Sequence, residues 1–244
     1  MKLRYDLHLH SCLSPCGDMD MTPNNLVGMA KLLGYDIIAL TDHNSCRNTP
    51  AAVKVGERLG ITVVPGMELC TREEAHVVCL FPTVEAALAF SEWVKEHSPN
   101  IPNRPEIFGE QAVLDEEDRP IGKEEQLLIA AADIGVYEVL SLARSYGGTA
   151  FPAHVDKDSY SITASLGSIP PEIGFPTAEL SPRADREKML TLYPELLGMR
   201  LLQDSDAHYL ENMPDPGPIL ELQENTPQCL ISLLDFPKSR EEKR

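Results

Sequence analysis

The stretch D-L-H-L-H-S-C-L-S-P-C-G-D places His8 and His10 two residues apart, followed by a cysteine pair and a carboxylate. On a β-strand, residues i and i+2 face the same way, so the two imidazoles can grip one ion. The chain of 244 residues holds seven histidines, and six of them (His8, His10, His43, His76, His154 and His208) fall at or beside expected strand ends with an acid or a small residue nearby. The strand I-I-A-L-T ends in Asp42-His43, and D-S-D-A-H repeats the i, i+2 spacing with Asp206 and His208. In G-M-E-L-C-T-R-E-E-A-H-V-V, a hairpin centred on Thr71 to Glu73 would set His76 directly opposite Glu68, with Cβ atoms about 5 Å apart, so that a carboxylate and an imidazole share a cation. Imidazole plus carboxylate without a committed thiolate set suits zinc, manganese or iron, and a bridging carboxylate suits more than one ion. His97, in W-V-K-E-H-S-P, reads instead as a cation at a helix C-terminus.

No nucleophile motif competes with this chemistry: G-x-S-x-G, the P-loop and G-x-G-x-x-G are all absent. Cys12 and Cys16 lack the companion pair of a zinc knuckle or an iron–sulfur site and are expected to serve loop packing and to lie behind the metal ligands. The six cysteines read as free thiols. Net charge is −17, so nucleic acid or an anionic membrane would be repelled unless bound cations supply a local positive feature. The first ten residues alternate in polarity without the apolar run of a signal peptide, and no segment reaches the ~20 apolar residues of a membrane span, which gives a cytoplasmic expectation and no membrane partner.

The elements that must position these groups follow from pattern. L-R-Y-D-L-H-L alternates as a strand; T-P-N-N-L-V-G-M-A-K-L-L-G opens a helix with Thr22 as N-cap and Pro23 at its first position, and Gly34 closes it. I-I-A-L-T, a second Thr-Pro helix start and I-T-V-V-P complete a βαβαβ series, which predicts a parallel sheet or barrel. After the strand A-H-V-V-C-L-F, residues 83 to 148 read as a mainly helical inserted lobe. The strand T-A-F-P-A, a loop over 160 to 174, the strand T-A-E-L, a helix from Ala184, the strand L-L-Q-D-S-D and the helix T-P-Q-C-L-I-S-L-L follow. This makes residues 1–237 one α/β domain, with a charged tail at 238–244.

Taken in order, D-L-H-L-H-S, A-L-T-D-H-N, G-M-E, E-A-H-V-V-C-L-F, F-P-A-H and D-S-D-A-H resemble the successive motifs of the PHP (polymerase and histidinol phosphatase) metallophosphoesterases across nearly the whole chain. The resemblance implies a distorted (βα)7 TIM-like barrel with a trinuclear cluster at its mouth. By matching motif, His8, His10, Glu68 and Asp206 would hold one ion, with Glu68 bridging to a second held by His76 and His154. Asp18, His43 and His208 would hold the third, with Asp20 as the substitute should Asp18 face away. The implied reaction is hydrolysis of a small phosphate monoester such as a nucleotide, a sugar phosphate or a histidinol-phosphate-like compound, by water activated between ions. Lys157 and Arg183, just past strand ends, are candidate phosphate clamps. Asp42 would either orient a ligand imidazole or move a proton. G-E-Q-A-V-L-D-E-E-D-R-P-I-G-K-E-E-Q-L-L-I-A-A-A-D with G-G-T-A-F-P-A-H-V-D-K is also similar to a PHP subgroup of larger proteins, among them an archaeal deaminated-DNA endonuclease with an extra C-terminal domain. That domain has no counterpart expected in this sequence, and with 6% aromatic residues and an acidic balance a nuclease is the alternative. A non-enzymatic metal-binding module is the third reading.

Overall fold

The computed structural model describes residues 1–236, and the tail at 238–244 lies outside the described residues. In chain order the elements are β1 (Lys2–Leu9), α1 (Pro23–Leu32), β2 (Ile37–Leu40), α2 (Thr49–Leu59), β3 (Thr62–Cys70), β4 (His76–Leu80), α3 (Val84–Glu96), α4 (Pro105–Phe108), β5 (Ala112–Leu114), β6 (Pro120–Lys123), α5 (Val136–Ser145), β7 (Thr149–Pro152), α6 (Ile162–Leu166), β8 (Thr177–Leu180), α7 (Arg186–Leu192), β9 (Arg200–Gln203), β10 (Ile219–Glu221) and α8 (Pro227–Leu234). The Thr22 hydroxyl accepts a hydrogen bond from the Asn25 N–H at 3.2 Å and starts α1. Gly34 and Gly60, both with φ near 70°, let the chain leave α1 and α2 through the left-handed region.

β1, β2 and β3 pair in parallel, as the βαβαβ reading requires. β4 then pairs antiparallel with β3 and with β7, because residues 71–75 are too short for a crossover helix. Hydrogen bonding thus draws a curled six-stranded sheet, β10-β1-β2-β3-β4-β7, and a separate parallel pair, β8–β9. Two links curl these pieces around one mouth: a parallel bridge from Leu9 to Ala207, and the Val155 N–H donating to the Glu179 carbonyl at 2.9 Å.

Each part of the sheet has its own cover. Leu7, Ala39, Val64, Val78 and Phe151 pack with Leu230 and Leu234 of α8. Ile38, Leu40 and Val63 pack with Leu26 and Val27 of α1 and Val55 of α2. Met67, Val77 and Cys79 meet Phe90 of α3 and Val139 of α5. Each large side chain so buried stabilises by about 1.5–3 kcal/mol, which makes the strand ends firm anchor points.

Residues 83–148 are less helical than their composition suggested. α3 and α5 frame the segment, but between them lie the small β5–β6 hairpin and irregular chain. Pro120 and Gly122 break helical continuity there, and Asp118 adopts φ 58° in the turn. Strand β9 stops at Gln203, so Asp206 and His208 sit on a loop rather than on a strand, and β10 beyond them pairs antiparallel with β1.

Candidate metal centre

Register alone gathers the candidate ligands. Because Leu9 bridges Ala207 in parallel, the neighbours on either side match: His8 and His10 share a side with Asp206 and His208. A second parallel bridge sets His43 beside Glu68. The hairpin differs from expectation in register: His76 faces Cys70, and Glu68 faces Val78, because the turn runs to Ala75, with Glu74 in the left-handed region. The shift is two residues, and an even shift keeps a side chain on its face, so His76 still reaches Glu68 diagonally. His154, at φ 31°, and Asp206, at φ 54°, hold uncommon left-handed conformations where they enter the cluster.

Glu68 is the hub. Its Oε1 lies 3.2 Å from His8 Nε2, 2.8 Å from His76 Nδ1 and 3.2 Å from His154 Nε2, while Oε2 lies 3.3 Å from His10 Nε2 and 3.0 Å from His43 Nδ1. Asp206 Oδ1 stands 3.4 Å and 3.2 Å from the same nitrogens of His8 and His10. Three donor groups result, each with ligand atoms within 4.8 Å of one another: His8–His10–Glu68–Asp206, His43–Glu68–His76 and His10–His43–His208. A cavity of about 290 Å³ opens onto them, lined also by Lys157, Tyr160 and Cys16.

Two of the imidazoles are fixed from behind. His8 Nδ1 meets Glu179 Oε2 at 2.8 Å, which leaves Nε2 free to ligate. His10 Nδ1 meets the Ser14 hydroxyl at 2.9 Å, and that hydroxyl donates to Asp42 at 2.7 Å. Asp42 also accepts from the N–H and the hydroxyl of Ser11, both at 2.7 Å, so it orients His10 through Ser14 and fixes the loop rather than facing the cavity.

The charge balance is that of a site built for cations. Burial works to raise the Glu68 carboxyl, yet His76, His8 and His43 together hold it well below the usual carboxylate range. Asp206 is likewise lowered, burial being outweighed by His8 and His10. Burial disfavours charge on His8, but Glu179, Glu68 and Asp206 raise it well above its ordinary value; His10 is raised against the same penalty. His208 goes the other way, pushed down to about 3 by burial and by His10. Ionised carboxylates at this depth need positive charge, from protons on imidazoles or from divalent ions. Glu68 Oε2, Asp206 Oδ1, His43 Nδ1 and His154 Nδ1 are buried without a hydrogen-bond partner, and oxygen and nitrogen donors left open in this way fit divalent ions.

Among the sequence candidates, His8, His10, His43, Glu68, His76, His154, Asp206 and His208 come together. Asp18 does not: its Oδ1 accepts from the Asp20 N–H at 2.8 Å within its own loop, and Asp20, the alternative, is exposed. Lys157 enters the mouth, its ammonium 2.5 Å from Asp206 Oδ2. Arg183 lies instead on an adjoining cavity with Lys188 and Tyr193. His97 stacks on Trp93 and has no part in the cluster. Sequence reading missed Glu179, whose one available signal was a carboxylate in an otherwise apolar buried strand, and Ser14.

A curled α/β sheet whose mouth gathers imidazoles around a bridging carboxylate defines a scaffold for divalent metals. The PHP domain model matches residues 6–165, and the chain belongs to the PHP family. The crystal structure of the lesion-specific endonuclease from Pyrococcus furiosus superposes with a TM-score of 0.66 at 20% identity, covering 96% of this chain and 56% of that one, a likeness of fold. A 5'-3' exoribonuclease of Haemophilus influenzae is 34% identical over 83 residues, 33% of this chain and 29% of the relative. A phosphoribosyl 1,2-cyclic phosphate 1,2-diphosphodiesterase of Eggerthella lenta is 38% identical over 64 residues, 26% and 23% of the two chains. The chain spans half or less of the length of the curated relatives it matches. No helix among the described residues is long and apolar enough to cross a membrane.

Proposed function

We propose that the chain is a metal-dependent hydrolase of phosphoester bonds whose substrate is a small phosphate monoester, such as a nucleotide, a sugar phosphate or a histidinol-phosphate-like compound. The observation that carries the chemistry is the Glu68 carboxylate, set with one oxygen toward His8, His76 and His154 and the other toward His10 and His43. His8, His10, Glu68 and Asp206 would hold one ion, Glu68, His76 and His154 a second, and His43 and His208 a third; zinc, manganese and iron all suit the donors. Such ions, when bound, lower the pKa of water and neutralise phosphoryl oxygens. Lys157, tied to Asp206 at the mouth, adds a cation for the substrate's phosphoryl group. The His8–Glu179 and His10–Ser14–Asp42 hydrogen bonds keep the ligand nitrogens aimed without movement during the reaction.

Substrate size follows from space and charge. A mouth of about 290 Å³ on a chain of net charge −17 suits a compact anion better than a polynucleotide, which would need a basic track. A nuclease or other phosphodiesterase is the second reading, favoured by the exoribonuclease and diphosphodiesterase relatives and by the endonuclease fold. We read the curled sheet as a distorted (βα)7 barrel, the chain to residue 237 as one domain with 83–148 inserted, and the cytoplasm as its compartment.

The test is metal analysis of the purified protein with a turnover screen across sugar phosphates, histidinol phosphate, mononucleotides and short RNA and DNA. Monoester turnover with two or more ions per chain supports the first reading. Turnover of oligonucleotides alone replaces it with the second, and protein that takes up no metal and hydrolyses nothing overturns both.

A further inference from the structure

His10, His43 and His208 bring ligand atoms together with no carboxylate among them. His10 and His43 each also serve a group containing Glu68, so this all-imidazole group has no anion of its own. Asp18, expected there, is turned into its own loop. His43 lines the cavity, and its Nδ1 is buried without a hydrogen bond, 3.0 Å from Glu68 Oε2.

Cys16 faces that gap. It lines the cavity with His43 and His208, its thiol beside the His43 imidazole. The backbone holds it there: the Asp18 N–H donates to the His208 carbonyl at 2.9 Å, and the Gly17 N–H to the Ser14 carbonyl at 2.8 Å. A Cβ at residue 17 would lie 2.3 Å from the Ser11 carbonyl oxygen, so only glycine lets the chain fold back this tightly. Cys16 is exposed at the mouth, whereas Cys12, Cys46, Cys70 and Cys79 are buried elsewhere in the fold.

We propose that Cys16 supplies a thiolate ligand to the ion held by His43 and His208, in the position that the family resemblance gives to a carboxylate. The inference rests on the metal-binding reading above and deepens it. As the sulfur–metal bond forms, the thiol proton passes to solvent. One soft sulfur with two imidazoles biases this position toward zinc or iron(II) and away from manganese, while the oxygen-rich groups at Glu68 stay permissive. The cysteine that pattern reading assigned to loop packing thereby becomes part of the site.

The experiment loads the full metal-free chain with cobalt(II) and reads both its spectrum and its ion count. A near-ultraviolet sulfur-to-cobalt charge-transfer band is expected, absent from Cys16→Ala and Cys16→Ser, with one fewer ion bound in each. Cys16→Asp should restore the ion count without the band. In a second measurement on the wild-type chain, bound zinc should slow alkylation of Cys16 at least about tenfold, because a coordinated thiolate is a poor nucleophile. Cobalt-loaded wild type without the band, or a band that persists in Cys16→Ala, overturns the thiolate while leaving the metal centre intact. Wild type that binds no cobalt at all overturns the metal centre itself.

Discussion

The two sides of the cluster around Glu68 are built to different standards. On one side, His8 and His10 are braced by Glu179 and by Ser14 with Asp42, and every bracing group is buried. On the other, no buried acid or hydroxyl among the described residues hydrogen-bonds the His43 ring from behind, and His208 is steadied by the carbonyl of Asp206 at 2.8 Å. Bracing from behind raises ligand basicity and removes the entropy of finding the right rotamer. The braced side is therefore suited to ions that stay, and the other to an ion that exchanges.

Glu68→Gln should erase the contrast, since both sides share this carboxylate. Metal affinity should fall at least about 100-fold, beyond the effect of removing any group behind a ligand, with turnover lost in parallel. Retention of the full ion complement, measured by elemental analysis after dialysis, would break the hub role. Glu179→Gln should injure the braced side alone, costing about 10–100-fold in the affinity of the tightest ion. Equal weakening of all ions in a competition titration with a chelator would contradict the asymmetry.

Proton release gives a third test. His8 is raised well above its ordinary value by Glu179, Glu68 and Asp206 against the penalty of burial, so in metal-free protein near neutral pH it carries a proton that must leave when an ion binds. His208, pushed down to about 3, is already neutral there. Apparent affinity on the braced side should thus fall about tenfold per pH unit, per proton released, as pH drops below neutrality, and affinity at His208 should change less. Calorimetry in buffers of different ionisation enthalpy reads this directly; no proton release for the first ion would refute the assignment. The smallest effect belongs to His208→Ala, which should remove one ion and weaken the others by less than about tenfold.

How far the sequence could be read depends on how local each signal is. His8 with His10 and Asp206 with His208 were visible because each pair is a dipeptide spacing, and His76 because its hairpin partner Glu68 lies only eight residues away. The candidate ligand nitrogens were legible, as was Asp42 as an orienting group; Glu179 and Ser14 were not. Glu179 meets His8 across 171 residues of sequence, and nothing in T-A-E-L announces that partner. Asp18 failed for a similar reason: spacing to Thr22 placed the residue, but its orientation was set by a hydrogen bond to Asp20 inside the loop. The even register shift at the hairpin was harmless because only parity decides which face His76 occupies. Within residues 83–148 the turn at D-E-E-D-R-P-I-G was legible, but the β5–β6 pairing around it was not, in a sequence otherwise rich in helix formers.

The Leu9–Ala207 bridge, with the neighbouring hydrogen bond from the Leu7 N–H to Asp204 across 197 residues, has a consequence in time. During synthesis His8 and His10 leave the ribosome long before Asp206 and His208 exist. A nascent chain can offer the group of His8, His10, Glu68 and Asp206 only in part, and that group is completed when the last strands dock.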